Sequence, residues 1–365
     1  MAGSKMLCSA AAAAGATIVA LLFFLPAAHA ITTAEILDYR GTDRQQVLEA
    51  GARKEGALVI YSGMIVNQLL RPLLAKFESK YPFIKTRYWR GDGNQVIVKV
   101  HAELQANALE ADLVEGSGMP GKIGGSPIVL PFYSPLFAAL SPQEIAPDRT
   151  WAATRLRYIG LGYNTKLVSV DQAPKSYADL TDPKWKGKMA WHVDSDASGA
   201  LVTISTLLAS WGERATGDYL AKLATQAITP LAVSNRQVVD EVILGEYAIG
   251  LGISAHHPII SARRGAPSAT VMLDPVPSLI DSIQVLRGTK HPHAAMLFVD
   301  FILSGEAQRL IRAAEYFPSN REVDPLPALA SIVPRNAGVS DLVLSTERLE
   351  QLTPRSVELY KRYFH

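Results

Sequence analysis

Segments with strand character alternate with helical patterns in the first third of the chain, and this alternation restricts the fold more than any other feature. The strand segments are 57–62, 84–89 and 111–114. Between them, apolar residues recur at helical spacing over 69–77 and 96–109. Strands that are joined by helices at this spacing form a parallel sheet flanked by helices. The sequence therefore predicts an α/β fold.

The loops that follow these strands are predicted to meet at one edge of the sheet, because ligands of parallel α/β sheets bind beyond the carboxyl ends of the strands. The loops are Ser62-Gly63, 90–94 and 115–118. Ser62, Gly63 and Gly118 are therefore candidate ligand-binding residues.

A second candidate site lies in the stretch 191–210, where a strand segment and a polar loop precede an apolar helix. Ser198 and Gly199 open this helix, followed by Ala200. The first N–H groups of a helix have no partner within the helix, and the helix dipole adds positive charge there, so this start could hold an anion. The alternative is that Ser198 or Asp196 only caps the helix.

The first 30 residues have the pattern of a secretory signal peptide, with Lys5, an apolar run and the small residues Ala28-His29-Ala30. Cleavage is expected before Ile31. The alternative is an uncleaved membrane anchor. The only cysteine, Cys8, lies in this leader, so the exported chain is expected to have no disulfide.

The charge balance excludes some classes of partner. The 36 Lys and Arg residues nearly balance the 34 Asp and Glu residues, so neither a nucleic-acid footprint nor a polybasic membrane patch is indicated. The length of the chain favours two lobes over one.

Three motifs near the middle of the chain carry a resemblance to a known family: Tyr163–Leu167, Ser176–Leu180 and Asp182–Met189. They resemble the opening of the second lobe in periplasmic solute-binding proteins of ABC importers, specifically the ferric-ion-binding type. Further counterparts at matching positions extend the resemblance over nearly the whole mature chain: Tyr61–Gly63, Ser198–Ala200, Asn235, Gly245-Glu246 and Phe298–Phe301.

This resemblance implies the type II periplasmic-binding-protein fold, in which two α/β lobes, each with a mainly parallel sheet, are joined by a hinge of crossing strands. Lobe 1 would comprise 31–150 and about 275–325, and lobe 2 about 151–274. The tail 326–365 would be helical, with two amphipathic helices after Ser340.

The resemblance also implies site residues, and this chain departs from the ferric pattern there. The adjacent tyrosines that hold the metal in ferric-binding members match Ala255 and His256, and the position of their metal-binding histidine matches Ile65. His256 and His257 are weak candidates for metal ligands. They could instead pair with an anion when protonated, or simply cap the strand before them.

The anion half of the implied site is intact. Ser198, Gly199 and Ala200 match the anion-binding helix start, and Asn235 matches an anion-contacting amide. Arg236 could add a bidentate contact or lie on the surface in solvent. Among the aromatic residues, Tyr316 and Trp191 are expected to line the ligand site.

The resulting hypothesis is a periplasmic receptor, without a cofactor and monomeric, that captures a small anionic solute or an anion-chelated metal. It would deliver this ligand to a permease and an ATPase of an ABC importer in the inner membrane. A ferric receptor with non-standard ligands is one alternative. An enzyme or a sensor ectodomain on the same fold is another, although no G-x-S-x-G, H-E-x-x-H or P-loop motif is present.

Overall fold

The structure is a computed structural model that describes residues 1–3, 31–91, 93–117, 122–123, 126–193 and 199–364. Residues 4–30 of the leader, Gly118, Asp196 and Ser198 therefore lie outside the described residues. Met1–Thr32 and Thr33–His365 form separate compact units, and the fold described below is that of the second unit. Within the described residues, no helix combines the length and the apolar character needed to cross a bilayer.

The helices and strands of this unit have the following bounds. The helices are α1 Thr33–Leu37, α2 Arg44–Glu55, α3 Arg71–Lys80, α4 Gly93–Gln105, α5 Gly199–Ala224, α6 Asn235–Leu244, α7 His256–Ala262, α8 Pro292–Leu303, α9 Gly305–Ala313, α10 Pro334–Ala337 and α11 Thr346–Phe364. The strands are β1 Ala57–Ser62, β2 Lys85–Arg90, β3 Leu113–Gly116, β4 Lys122–Ile123, β5 Ser126–Pro127, β6 Val129–Leu130, β7 Ala152–Asn164, β8 Met189–His192, β9 Thr229–Leu231, β10 Ile249–Ser254, β11 Ser268–Val271, β12 Val276–Leu286, β13 Phe317–Pro318 and β14 Asp341–Leu344.

The first sheet confirms the predicted alternation of strands and helices. β1 pairs in parallel with β2 on one side and with β3 on the other. Behind the sheet, the rings of Phe77, Phe298 and Phe301 pack together, with centroids 5.1 to 6.1 Å apart. β3 ends two residues later than predicted, because Glu115 and Gly116 still pair with the neighbouring strands.

Two long strands, β7 and β12, connect the first sheet to a second one. β12 pairs antiparallel with β3 and with β7, and β7 continues into antiparallel pairing with β10 and β11. β10 then pairs in parallel with β8, and β8 with β9. The strand order is therefore β2-β1-β3-β12-β7-β10-β8-β9, and β7 and β12 are the crossing strands that the sequence predicts.

The core of the second lobe contains Trp191, so the prediction that this residue lines the ligand site is wrong. Its side chain is buried, and its ring meets the rings of Tyr360 and Phe364 on α11 at 6.1 and 5.2 Å. The C-terminal helix covers this ring. This packing is stable because it buries a large apolar surface.

The two amphipathic helices predicted after Ser340 are also wrong. Asp341–Leu344 forms β14, which pairs in parallel with β12, and a single helix, α11, follows. Leu342, Val343 and Leu344 form a short apolar run, and β12 offers an edge to pair with, so tertiary pairing overrides the helical pattern.

Candidate functional site

The loops after the parallel strands converge as predicted, within the residues that the structure describes. The N–H of Gly63 donates to the carbonyl of Glu115 at 2.9 Å, and the N–H of Gly91 donates to the carbonyl of Ser62 at 3.2 Å. A Cβ on Gly63 would lie 3.7 Å from the carbonyl oxygen of Gly91. The backbones at the ends of β1, β2 and β3 are therefore in direct contact.

A buried group of charges lies beside this edge, and sequence reasoning missed it. Arg155 on β7 places Nη1 2.7 Å from Oε1 of Glu115 and Nε 3.1 Å from Oδ2 of Asp281. All three side chains are almost fully buried. Buried charges are tolerated when they are paired in this way, although Nε of Arg155 forms no hydrogen bond within the described residues. The sequence signal that could have revealed this group is the presence of charged residues inside segments that form long strands.

Hydroxyl groups complete the hydrogen bonding of the two carboxylates. Ser62 Oγ donates to Glu115 Oε2 at 2.7 Å, and Thr154 Oγ1 donates to Glu115 Oε1 at 2.9 Å. Ser117 Oγ donates to Asp281 Oδ1. The predicted ligand-binding residue Ser62 is thus fully buried and holds Glu115 in place.

The two carboxylates respond differently to their surroundings. Burial raises the pKa of Glu115, although Arg155 partly opposes the rise. Burial also opposes ionisation of Asp281, but the guanidinium groups of Arg155 and Arg157 outweigh it and lower the pKa of Asp281. Asp281 is therefore ionised and carries the negative charge of the group.

Arg157 lies two residues along β7 from Arg155, on the same face of the strand. Its Nη2 donates to Ser117 Oγ at 3.2 Å. Its buried Nε has no hydrogen-bond partner among the described residues. Tyr316 is close by, since the Arg155 guanidinium lies 5.2 Å from the centre of its ring. Tyr316 therefore lies beside this group of charges, and its contact with a ligand stays a prediction.

His256 and His257 begin α7 and approach this group from the second lobe. Their rings are 4.4 Å apart, and the His256 ring is 6.1 Å from that of Tyr316. Nδ1 of each ring is buried and has no hydrogen-bond partner among the described residues. Burial is the main cause that lowers the pKa of both residues, that of His257 to about 4. Both imidazoles are therefore neutral near pH 7.

These residues form what we call the hinge cluster, since they come from both lobes and from the crossing strands. Its members are Glu115, Arg155, Arg157, Asp281, Tyr316, His256 and His257. In the described part of the chain, no group of three or more His, Cys, Asp or Glu side chains is arranged to hold a metal ion.

The predicted helix start is tightly packed. The N–H of Gly199 donates to Nδ1 of His192 at 3.0 Å, and the side chain of Ala200 is fully buried. A Cβ on Gly199 would collide with the carbonyl of Gly252. Gly252 itself has a φ of 65°, which favours glycine. The first N–H of α5 is thus already bonded within the protein.

Asn235 and Arg236 are also engaged. Asn235 Nδ2 donates to the carbonyl of Gly252 at 3.1 Å, and its Oδ1 accepts the N–H of Ser254 at 2.7 Å. This amide therefore bridges the irregular pairing of β10 near Gly252. Arg236 lies on the surface of α6 and pairs with Asp240 at 2.7 Å.

Comparison with known proteins agrees with the fold. The structure matches iron-bound HitA from Pseudomonas aeruginosa with a TM-score of 0.69 and 21% identity, covering 84% of this chain and 99% of HitA. It matches AfuA from Actinobacillus pleuropneumoniae, with fructose-6-phosphate bound, with a TM-score of 0.67 and 23% identity, covering 85% of this chain and 98% of AfuA. The fold is that of the two-lobe, type II periplasmic binding proteins.

The family follows from the sequence match. Residues 127–336 match the family described as bacterial extracellular solute-binding protein, and the chain belongs to this family. A relative, the Fe(3+)-binding periplasmic protein of Serratia marcescens, is 25% identical over 274 residues, which are 73% of this chain and 79% of the relative.

Proposed function

We propose that this protein is the periplasmic substrate-binding component of an ABC importer. It captures a small solute that bears a phosphate, phosphonate or carboxylate group and delivers it to a permease and an ATPase in the inner membrane. Its leader is cleaved before Ile31, its lobes comprise 31–150 with about 275–325 and about 151–274, and it acts as a monomer. Membership of a solute-binding family supports binding without catalysis.

The observation that carries the proposal is the set of unpartnered groups in the hinge cluster. The Nε of Arg157 and the Nδ1 atoms of His256 and His257 are buried without a hydrogen-bond partner among the described residues. Leaving such groups unpaired is costly, and a ligand that accepts hydrogen bonds would remove the cost. Guanidinium and imidazole groups are both good donors to oxyanions.

Glu115 and Asp281 pair with Arg155, and this pairing leaves Arg157 available to bind an anion. Arg155 is held by Glu115 and Asp281 at 2.7 and 3.1 Å, whereas Arg157 donates to the neutral hydroxyl of Ser117 at 3.2 Å. Arg157 is therefore the guanidinium that an incoming anion would meet. The helix start at Gly199 and the Asn235 amide would then shape the site from the second lobe, with Ser62 and Gly63 on the opposite side.

A ferric receptor is the second candidate, because relatives carry iron in their names. Ferric ion prefers hard, anionic oxygen ligands, and Ala255 and His256 occupy the positions that match the tyrosine pair. Neutral imidazoles suit other transition metals better. An anion-chelated metal remains compatible with the proposal, since its chelating anion would meet Arg157.

The proposal is tested by thermal unfolding in the presence of defined anions. The panel comprises inorganic phosphate, fructose 6-phosphate, methylphosphonate, citrate, ferric citrate and ferric chloride. Binding to the native state raises the melting temperature as ligand exceeds its dissociation constant. We expect a shift from at least one metal-free anion, and no shift from any anion would refute the proposal.

The matched pair of variants is Arg157→Gln and Arg348→Gln. Arg348 is an exposed arginine on α11, far along the chain from the cluster. Arg157→Gln should abolish the shift, and Arg348→Gln should preserve it. A shift that occurs only with ferric salts would instead favour the ferric receptor.

A further inference from the structure

A cavity of about 170 Å³ lies on the opposite face of the crossing strands from the hinge cluster. Tyr158 on β7 and Ser278 on β12 line it and are paired in register. Alternation along β7 directs Tyr158 away from the face that carries Arg155 and Arg157. We call this cavity the back pocket.

Four charged side chains line the back pocket, two of each sign. Glu144 and Asp341 are acidic, and Arg321 and Arg335 are basic. In the described part of the chain, no ion pair joins any two of them. Opposite charges that share a cavity without pairing usually leave room for something between them, either water or a ligand with both charges.

Two nearly buried groups in the back pocket lack partners. Glu144 is 5% exposed, and its Oε2 accepts the N–H of Ser141 at 2.9 Å, whereas Oε1 has no partner among the described residues. Tyr158 is 6% exposed, and its hydroxyl likewise has no partner among them. Neither atom is fully enclosed by protein, so both are open to a hydrogen bond with a ligand in the back pocket.

Burial and the neighbouring charges of the back pocket shift the pKa values of Glu144 and Tyr158. Burial raises the pKa of Glu144, and Arg321 opposes the rise. Burial also raises the pKa of Tyr158, with further contributions from Asp341 and Glu144. A cation beside Glu144 and Asp341 would offset the cost of burying their charge.

We propose that the back pocket binds a free α-amino acid with a small side chain. Its ammonium group would meet Glu144, Asp341 and the Tyr158 hydroxyl. Its carboxylate would meet Arg335 and Arg321; Nη2 of Arg321 donates to the carbonyl of Leu140 at 2.9 Å, which leaves other guanidinium donors available.

The size of the back pocket agrees with this class of ligand. A cavity of about 150 Å³ holds benzene, which has six non-hydrogen atoms, and alanine also has six. Glu144, Asp341 and Arg321 each have a neutral hydrogen-bond partner, and an uncharged molecule of this size would add no opposite charge to any of the four side chains. The proposal does not depend on which solute binds at the hinge cluster.

Isothermal titration calorimetry with glycine, L-alanine and L-serine tests the proposal on the mature protein. N-acetyl-L-alanine, which lacks the ammonium group, and L-alanine methyl ester, which lacks the carboxylate, are the matched ligands. We expect one saturable site for at least one free amino acid. Each modified ligand should bind at least roughly tenfold more weakly, because it loses a charged hydrogen bond.

The variants locate the site. Glu144→Gln and Arg335→Gln should each weaken binding at least roughly tenfold, whereas Arg348→Gln and Arg157→Gln should leave it unchanged. Arg335 is exposed, so its variant should fold even if Glu144→Gln does not. The proposal is overturned if no amino acid saturates a site, if the modified ligands bind equally well, or if Arg157→Gln abolishes binding.

Discussion

Arg155 and Asp281 lie directly opposite each other on the antiparallel strands β7 and β12, with Nε 3.1 Å from Oδ2. The pair therefore joins the two strands that connect the lobes. Because Arg155 also pairs with Glu115 on β3, one guanidinium holds three strands of the first sheet together at the hinge.

We expect Asp281→Asn to lower the free energy of unfolding by ~3 kcal/mol, because breaking a buried ion pair leaves the other charge poorly compensated. Asp240→Asn removes a pair of similar length, Arg236 to Asp240, on the surface. That change should cost less than ~1 kcal/mol. Urea denaturation of both variants measures the difference, and equal losses would contradict the role given to Asp281.

Gly199→Ala should destabilise the protein strongly, because the new Cβ would collide with the backbone of Gly252. Gly217→Ala is the matched control, in the part of α5 that follows a kink at Gly212. There, a Cβ would lie 3.4 Å from the hydroxyl of Tyr363, and alanine favours a helix by ~0.5–1 kcal/mol. Thermal unfolding should show a lower melting temperature for the first variant only. An unchanged Gly199→Ala protein would mean that α5 does not approach β10 this closely.

The stability of the protein should fall as the pH drops from about 7 towards 4, partly because of His256 and His257. Burial lowers the pKa of both in the folded state from the usual value of 6.5, that of His257 to about 4. Below pH 6.5 the unfolded chain therefore binds protons that the folded chain does not, and stability is lost as the pH falls. The ionisable groups that face the two rings are Arg157, Arg236, Asp240 and Tyr316.

Replacing His257 isolates this contribution. His257→Gln should reduce the slope of unfolding free energy against pH by up to ~1.4 kcal/mol per pH unit between about 6.5 and 4. Glu115, whose pKa is raised by burial, acts in the opposite direction, so the informative quantity is the difference between the variant and the parent protein. An identical slope in both would show that His257 titrates normally in the folded state.

Leu359→Ala on α11 should cost ~2–5 kcal/mol, because its side chain is almost fully buried in the core of the second lobe. Leu244→Ala is the matched control, since Leu244 is 74% exposed, and it should change stability by less than ~0.5 kcal/mol. Chemical denaturation distinguishes the two. A small effect of Leu359→Ala would mean that α11 is only loosely attached.

Much of the architecture could be predicted from local pattern. The alternation of strand and helix over β1, α3, β2, α4 and β3 depends on residues close in sequence, and the contact between Gly63 and the end of β3 followed from the rule for parallel sheets. The tail could not be predicted in this way. Asp341–Leu344 becomes a strand because β12, distant in sequence, offers it an edge.

The candidate site was predictable only in part, for the same reason. The residue types at Gly199, Asn235 and His256 could be read from the sequence, but their hydrogen bonds depend on which groups the fold brings near them. Asn235 bridges Gly252 and Ser254, and Trp191 is covered by α11. Neither contact can be predicted from the local sequence.

By itself, the sequence determined the α/β class, the order of the strands and helices in the first lobe, and the family resemblance. The spacing of apolar residues, the positions of glycines and the motifs are local properties that can be read without knowledge of the tertiary structure. Only the tertiary structure decided that Arg155 pairs with two carboxylates while Arg157 donates to the hydroxyl of Ser117, because pairing and burial depend on distances between β3, β7 and β12 that no local pattern contains.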